Sequence, residues 1–495
     1  MSDLETLSTR FWDLTLENNP TQATLLSDYR FDHLLDDVSP EALDRYAGQL
    51  RDVIEQASNL DPSGFDHQEK LTRSMLIVEA RNALTMIETR IIIAACDPLT
   101  GPVAGLLMAA GQTAAQSGSQ AEALYERYRQ IPRFLTQALD LHNQETAAGR
   151  TQIAANVRRV LSQIDEYLGS PVESDPIANT PAPDDWPEFR TWRDNLKKLV
   201  TEHIRPAVSV YRDGVEALLA VSRDEDHSGL CHIADGEDIY SKLIGVFTTL
   251  PLTAEELHNF GQTQAREVHA EEFREIGERV FGTSDLSTIL ARLRTDPTLR
   301  YQNADEIVRH AEEIVERAWE ASAVWFNLRP IGTCAVQEVP TVLGKNAPPA
   351  YYYPPASDGS RPGTYFINTH EPTQRVRYAA EAVAFHEANP GHHFQLTLAT
   401  ELAGIPEFRK RAITTAYVEG WGLYAERLAD EMKLYTSETD RLGMVSADAW
   451  RAGRLVVDTG IHALGWSRGQ AVKFLQQWTA IDQPSIETEV DGYIG

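Results

Sequence analysis

Residues 303–327 read NADEIVRHAEEIVERAWEASAVWFN. Val308, Ala311, Val315, Ala318 and Ser322 recur at the three-to-four-residue spacing of a helix, and charged side chains fill most of the other positions. Asn303 with Glu306 three residues on is a start signal, and Pro330 lies just past the end. An amphipathic helix is predicted, and the same periodicity runs through most of the chain. Thr253-Ala254-Glu255-Glu256 repeats the start signal, and Ser467 with Gln470 opens a helix predicted over Ala471 to Trp478. There is no fixed-period repeat, so a solenoid is not expected. The fold class read from these patterns is mainly α.

Two stretches interrupt the helices. Ser170 to Phe189, SPVESDPIANTPAPDDWPEF, is rich in proline and reads as a surface connection between helical regions at 1–180 and 181–495, or within one continuous domain. Val342 to His370, VLGKNAPPAYYYPPASDGSRPGTYFINTH, sets aromatic β-formers on both sides of an Asp358-Gly359 turn signal. A small β-hairpin or edge strand is predicted there, beside the active-site cleft, with Tyr365 a candidate for substrate binding by an extended edge.

The chain has 495 residues, 42% of them apolar and 24% charged, which is ordinary for compact globular proteins. Its net charge of −28 repels phosphates and anionic lipid, so neither nucleic acid nor membrane is expected as a partner. Cys96, Cys231 and Cys334 are far apart and form no Cys-x-x-Cys pair, which points away from disulfides and thiolate metal sites. The N-terminal MSDLETLSTRFWDL lacks a basic region followed by an apolar one, and the densest apolar patch, Ile91 to Cys96, is too short to span a bilayer. A cytoplasmic location is expected.

The chemistry gathers in residues 386–393, HEANPGHH, which hold three of the fourteen histidines. In a His-Glu-x-x-His zinc helix the two histidines stand four apart on one face, and the Glu is the general base. Here Pro390 occupies the fourth position after His386. His393, seven residues on, would share a face of a regular helix with His386 but lie about 10.5 Å along it, and His392 would face elsewhere. Pro390-Gly391 can break the helix and absorb the extra residues, allowing His392 or His393 to swing back. His392 needs less chain to be looped out.

A third ligand is expected from AYVEGWGLYAERLADEM, residues 416–432, where Glu419 precedes two glycines. Ile413, Ala416, Gly420, Leu423, Arg427 and Leu428 lie near one stripe of this helix. Gly420 and Gly422 each cost roughly 1 kcal/mol in a helix interior, which is understandable where a ligand or backbone approaches closely. A further helix, Trp450 to Gly465, sets Ala452, Leu455, Val456, Thr459, His462 and Ala463 on one face, with Trp466 beyond it. His462 or Tyr424 is a candidate to steady an oxyanion, and Arg454, Asp458 and Arg468 are candidates to bind a substrate terminus.

At these residues the chain resembles the bacterial domain-of-unknown-function family 885, a zincin-like family of metallopeptidase character. The resemblance is carried by ENNPTQATLLSDYRFDHLLDD, DGEDIYSKLIGVFTTLPLTAEELHNFG, YYYPPASDGSRPGTYFINT, FHEANPGHHFQ, YVEGWGLYAERL and RLVVDTGIHALGWSRGQA. It implies a large helical zincin-like metallopeptidase fold, with zinc held by His386, one of the paired histidines and Glu419, and with Glu387 as base. Family members continue beyond the counterpart of EVDGYIG with a Pro-Gly-Gln-Ala-Leu-x-Tyr stretch, and carry Arg where Gly492 stands. That departure puts activity in doubt if the tail closes the pocket or supplies a tyrosine.

The expected function is zinc-dependent hydrolysis of short peptides or small amides, with Zn²⁺ as cofactor. The same two-histidine, one-carboxylate set would suit a non-haem iron enzyme, but an oxygenase has no need of an acid or base directly after its first ligand. A non-catalytic metal-binding or interaction protein is the remaining alternative. Oligomeric state is not legible in the sequence.

Overall fold

The structure, a computed structural model, describes residues 2–340, 344–345, 347–355, 361–412 and 414–494. Helices account for 69% of the chain and strands for 4%, so the fold is mainly α. It divides into two compact units, Met1–Leu243 with Gly492–Gly495, and Ile244–Asp491. The division therefore falls after Leu243, and the proline-rich stretch at 170–189 lies inside the first unit. Part of that stretch is core: Ile177, Ala178 and Thr180 are fully buried, and Asp175 accepts a hydrogen bond from the Tyr167 hydroxyl at 2.8 Å. Its other half, from Pro181 onward, keeps mostly to the surface.

In the first unit, Gly118–Tyr128, Ile131–Ala147, Ala154–Gly169, Phe189–Leu199 and Arg205–Leu218 enclose a core built on Leu124, Leu135, Ile164, Leu196 and Tyr211. Pro206 has no amide hydrogen to donate, and the turn before it, Val200–Ile204, widens to π-helical geometry without breaking the helix.

The second unit contains the helix expected from residues 303–327, observed as Ala304–Trp325. The Asn303 side chain accepts from the Glu306 amide at 2.9 Å. Its buried side is Ile307, His310, Ala311, Ile314, Val315, Ala318 and Ser322, with Val308 at the margin. The capping boxes at Thr253/Glu256 and Ser467/Gln470 are both formed, and the second helix starts at Arg468. The helix expected over 450–465 is the end of a longer one, Glu438–His462.

Residues around 350–367 form more than a hairpin. Cys334–Glu338 (β1), Ala350–Tyr353 (β2) and Gly363–Ile367 (β3) make a three-stranded sheet in the order β1-β3-β2. β1 pairs with β3 in parallel, Val336 opposite Tyr365, and β2 pairs with β3 antiparallel, Tyr352 opposite Tyr365. The more buried β3 is thus central and β2 is an edge. The Asp358-Gly359 turn signal lies outside the described residues.

The helix Thr415–Glu431 is rotated from the stripe read in the sequence. Ala416 and Gly420 are exposed and Leu423 is half-buried, while Val418, Gly422, Ala425, Glu426, Leu428 and Ala429 face inward. Ile413 lies outside the described residues. The physical reason is that the inward side carries a carboxylate, which a search for apolar residues counts as outward. Among the described residues no helix is long and apolar enough to cross a membrane.

Candidate metal centre

His386 closes the helix Ala380–Glu387, whose first turn is anchored by buried Glu381. Glu381 accepts from Arg317 at 2.7 Å and from the Thr436 amide and hydroxyl, each at 2.9 Å. The helix cannot run on through Asn389, because the residue before a proline is pushed out of helical geometry. Ala388 leaves the helix at φ −103°, ψ −103°, and the chain turns back on itself before a second helix, His392–Glu401. The fold-back is tight enough that a Cβ at Gly391 would lie 1.9 Å from the His386 carbonyl oxygen. Trp421 fixes the turn by donating its indole N–H to the Pro390 carbonyl at 2.8 Å.

The turn brings His392 to His386, their rings 4.5 Å apart and nearly perpendicular. Glu419, from the helix Thr415–Glu431, lies with one carboxylate oxygen 3.4 Å from His386 Nε2 and the other 3.7 Å from His392 Nε2. Among the described residues, His386, His392 and Glu419 form the one group of this kind, with ligand atoms all within 4.8 Å of one another. Tetrahedral zinc with bonds of about 2.0–2.1 Å sets its ligand atoms about 3.3 Å apart. The donor set and these separations fit such an ion with small side-chain adjustments.

His393 turns away. It is fully buried, donates from Nε2 to the Gly332 carbonyl at 3.1 Å, and has Nδ1 3.0 Å from the Tyr352 hydroxyl and 3.2 Å from that of Thr397, the two hydroxyls being 3.1 Å from each other. Both ring nitrogens are therefore satisfied within the protein, and the paired histidines divide into one that meets His386 and one that packs under the sheet. Gly363 makes room for it, since a Cβ there would lie 2.6 Å from Nδ1.

Electrostatics separate the roles further. Burial alone would lower the basicity of His386, but hydrogen bonds to the Glu419 and Glu426 carboxylates outweigh it and raise its pKa to about 9. A proton is held there between two carboxylates, in the place where a cation would compete for the same ring. Burial and repulsion from His386 lower His392 to about 4, so it stays neutral. Its Nδ1 is buried without a hydrogen-bond partner, while Nε2 faces Glu419. Hydrogen bonding to His386 lowers the pKa of Glu419. Burial pushes the Glu387 carboxyl up to about 7, opposed by His386 and by a hydrogen bond from the Tyr352 amide.

The other residues singled out in the sequence are not among the three that converge. Tyr424 is half-exposed on the surface, its ring 5.7 Å from that of Trp421. His462 stands 3.8 Å from Asp458, one turn back on its own helix, and about 16 Å along that helix from Arg451. Arg454 and Arg468 are engaged in ion pairs with Glu489 and Asp491, each at 2.6 Å. Tyr365 is buried in the central strand, and burial with the nearby Glu387 carboxylate keeps its phenol protonated.

Three participants escaped the sequence reading: Tyr352, Glu426 and Arg451. Glu426 had a signal, since it stands seven residues after Glu419 and hence on the same face. Its carboxylate accepts from His386 Nδ1 at 2.9 Å, and Arg451, from the helix Glu438–His462, lies 3.3 Å from the same oxygen. Nothing local distinguishes Arg451 from other helical arginines.

Solved structures share this fold, among them the following two. A chain from Colwellia psychrerythraea, described as a "putative lipoprotein", superposes with a TM-score of 0.89 at 20% identity, covering 99% of this chain and 88% of that one. A second, described as a "putative lipoprotein of unknown function" from Shewanella oneidensis, gives a TM-score of 0.76 at 15% identity, covering 100% of this chain and 90% of that one. No curated protein matches. The chain belongs to the family described as bacterial protein of unknown function (DUF885), whose match spans residues 20–495.

Proposed function

We propose that this protein is a zinc-dependent hydrolase of peptidase type, acting on short peptides or small amides. One observation carries the reading: His386, His392 and Glu419 converge with ligand atoms within 4.8 Å, and Glu387, directly after the first of them, is a half-buried carboxyl whose pKa is raised to about 7. His386, His392 and Glu419 would hold the ion. A zinc ion bound there supplies Lewis acidity, polarising the scissile carbonyl and making water a competent nucleophile near neutral pH.

The rest belongs to the chain. Glu387 takes a proton from the attacking water at its carboxylate oxygen and passes it to the leaving amine, a role that a pKa near neutrality suits. The Tyr352 amide holds that carboxylate in place. Because β2 has a strand partner on one side, its other edge offers backbone groups to an extended peptide, which favours short unfolded substrates over folded ones.

The test is direct. Protein purified without added metal is analysed for zinc and iron, then incubated with a mixed peptide library read by mass spectrometry. Zinc in a one-to-one ratio and cleavage that falls about 10²- to 10⁴-fold in Glu387→Gln is the expected result. Iron in place of zinc, or equal turnover by the parent and Glu387→Gln, would overturn it.

A further inference from the structure

We infer that Glu426, paired with Arg451, orients His386 as a ligand and sets how tightly the centre holds its metal. This rests on the metal-centre reading above. Glu426 is buried to 1% exposure on the side of its helix that faces His386. A carboxylate so buried is costly unless paired, and Arg451 alone would suffice as a partner. Yet the Glu426 oxygen shared with Arg451 also receives His386 Nδ1 at 2.9 Å. The contact fixes the orientation of the ring, with Nδ1 on Glu426 and Nε2 towards Glu419, and Arg451 Nη2 reaches the same Nδ1 at 3.1 Å.

One oxygen of Glu426 takes both contacts, and the helix that carries it is fixed by further ion pairs. Arg427, the next residue, donates to Glu272 at 2.7 and 2.9 Å and from Nε to Asp448 at 2.8 Å. Asp448 precedes Arg451 by three residues on the helix Glu438–His462. Two adjacent residues, 426 and 427, thus engage that helix through two ion pairs of opposite sense, and turning either helix about its axis would break both. Beneath the ring, Gly422 admits no side chain. Glu419, Gly422 and Glu426 share one helix face and grip the imidazole at one nitrogen, its underside and its other nitrogen.

Carboxylates placed behind a metal-binding histidine raise its donor strength and fix its tautomer, and their loss typically weakens binding about 10- to 100-fold. Arg451 moderates this by sharing the negative charge. The full chain, stripped with chelator, is titrated with Zn²⁺ against a competing chromophoric chelator and, separately, with Co²⁺ followed by its visible absorption. Circular dichroism confirms folding of each variant. Glu426→Gln should bind one Zn²⁺ about 10- to 100-fold more weakly with an altered Co²⁺ spectrum; Glu426→Asp, which retains the charge but shortens the reach, should lie between it and the parent. Binding within twofold of the parent and an unchanged spectrum in Glu426→Gln overturns the inference. If that variant does not fold, Glu426→Asp decides alone, and parent-like affinity and spectrum count against Glu426. His386→Ala that binds zinc as tightly as the parent overturns the metal-centre reading instead.

Discussion

The imidazole of His386 lies against the backbone of Gly422: a Cβ built there would come within 2.5 Å of Cε1 and 2.7 Å of Nε2. Gly422→Ala must therefore displace the ring from both carboxylates. We expect a loss of about 1–3 kcal/mol of stability together with loss of zinc binding. Gly420, two residues earlier, is exposed with open space around its Cβ position, so Gly420→Ala should be neutral or stabilise by about 0.5–1 kcal/mol. Equal effects of the two substitutions on zinc affinity would contradict the packing.

The paired histidines should respond oppositely. His392→Ala is expected to remove zinc binding and leave the melting temperature of metal-free protein little changed. His393→Ala removes the partner of the Gly332 carbonyl and the ring nitrogen that the Tyr352 and Thr397 hydroxyls face, costing about 1–3 kcal/mol, while zinc still binds in a one-to-one ratio. Metal analysis and thermal melting of both variants distinguish the roles.

Glu387 makes a pH-dependent prediction for metal-free protein. Burial raises its carboxyl from 4.5 to about 7, so between those values the native state keeps a proton that the unfolded chain has released. Stability from this group is present below 4.5 and lost as the pH rises through 7. Glu387→Gln has no such loss and should gain about 3 kcal/mol relative to the parent between about pH 5 and about pH 8. Denaturant unfolding with chelator present, at both pH values, measures the difference, and a constant gap would refute it.

Arg454 and Arg468 should prove structural. Arg454→Gln and Arg468→Gln leave Glu489 and Asp491, each with 18% of its side chain exposed, without those guanidinium partners. A cost of about 1–2 kcal/mol is expected, with KM for peptide substrates within about threefold of the parent. A large rise in KM with unchanged stability would instead support the substrate-terminus role read from the sequence.

What could be read in advance follows from the range of each interaction. Asn303/Glu306, Thr253/Glu256 and Ser467/Gln470 are contacts three residues apart, and the helix starts they mark were legible. Pro390 at the place of a second ligand announced a broken helix, and the break is there. The pairing of β1 with β3 joins residues 334–338 to 363–367 across an intervening strand, and no local pattern encodes it. The rotation of Thr415–Glu431 was misjudged because Glu426 is buried as a charge paired with His386 and Arg451. The proline-rich stretch misled in the same way: its composition suggests a linker, yet Ile177, Ala178 and Thr180 are core.

The four residues between the two helices of the centre have a consequence for how such a site can vary. Where both histidines ride on one unbroken helix, their separation is locked to the helical pitch and offers no adjustment. Here it depends on the shape of Ala388 to Gly391, held by the Trp421 indole and the absence of a side chain at Gly391. Spacing between ligands becomes a tunable quantity, open to change at Trp421 or Asn389 without replacing either imidazole. A search template built on the fixed four-residue interval would pass this chain by.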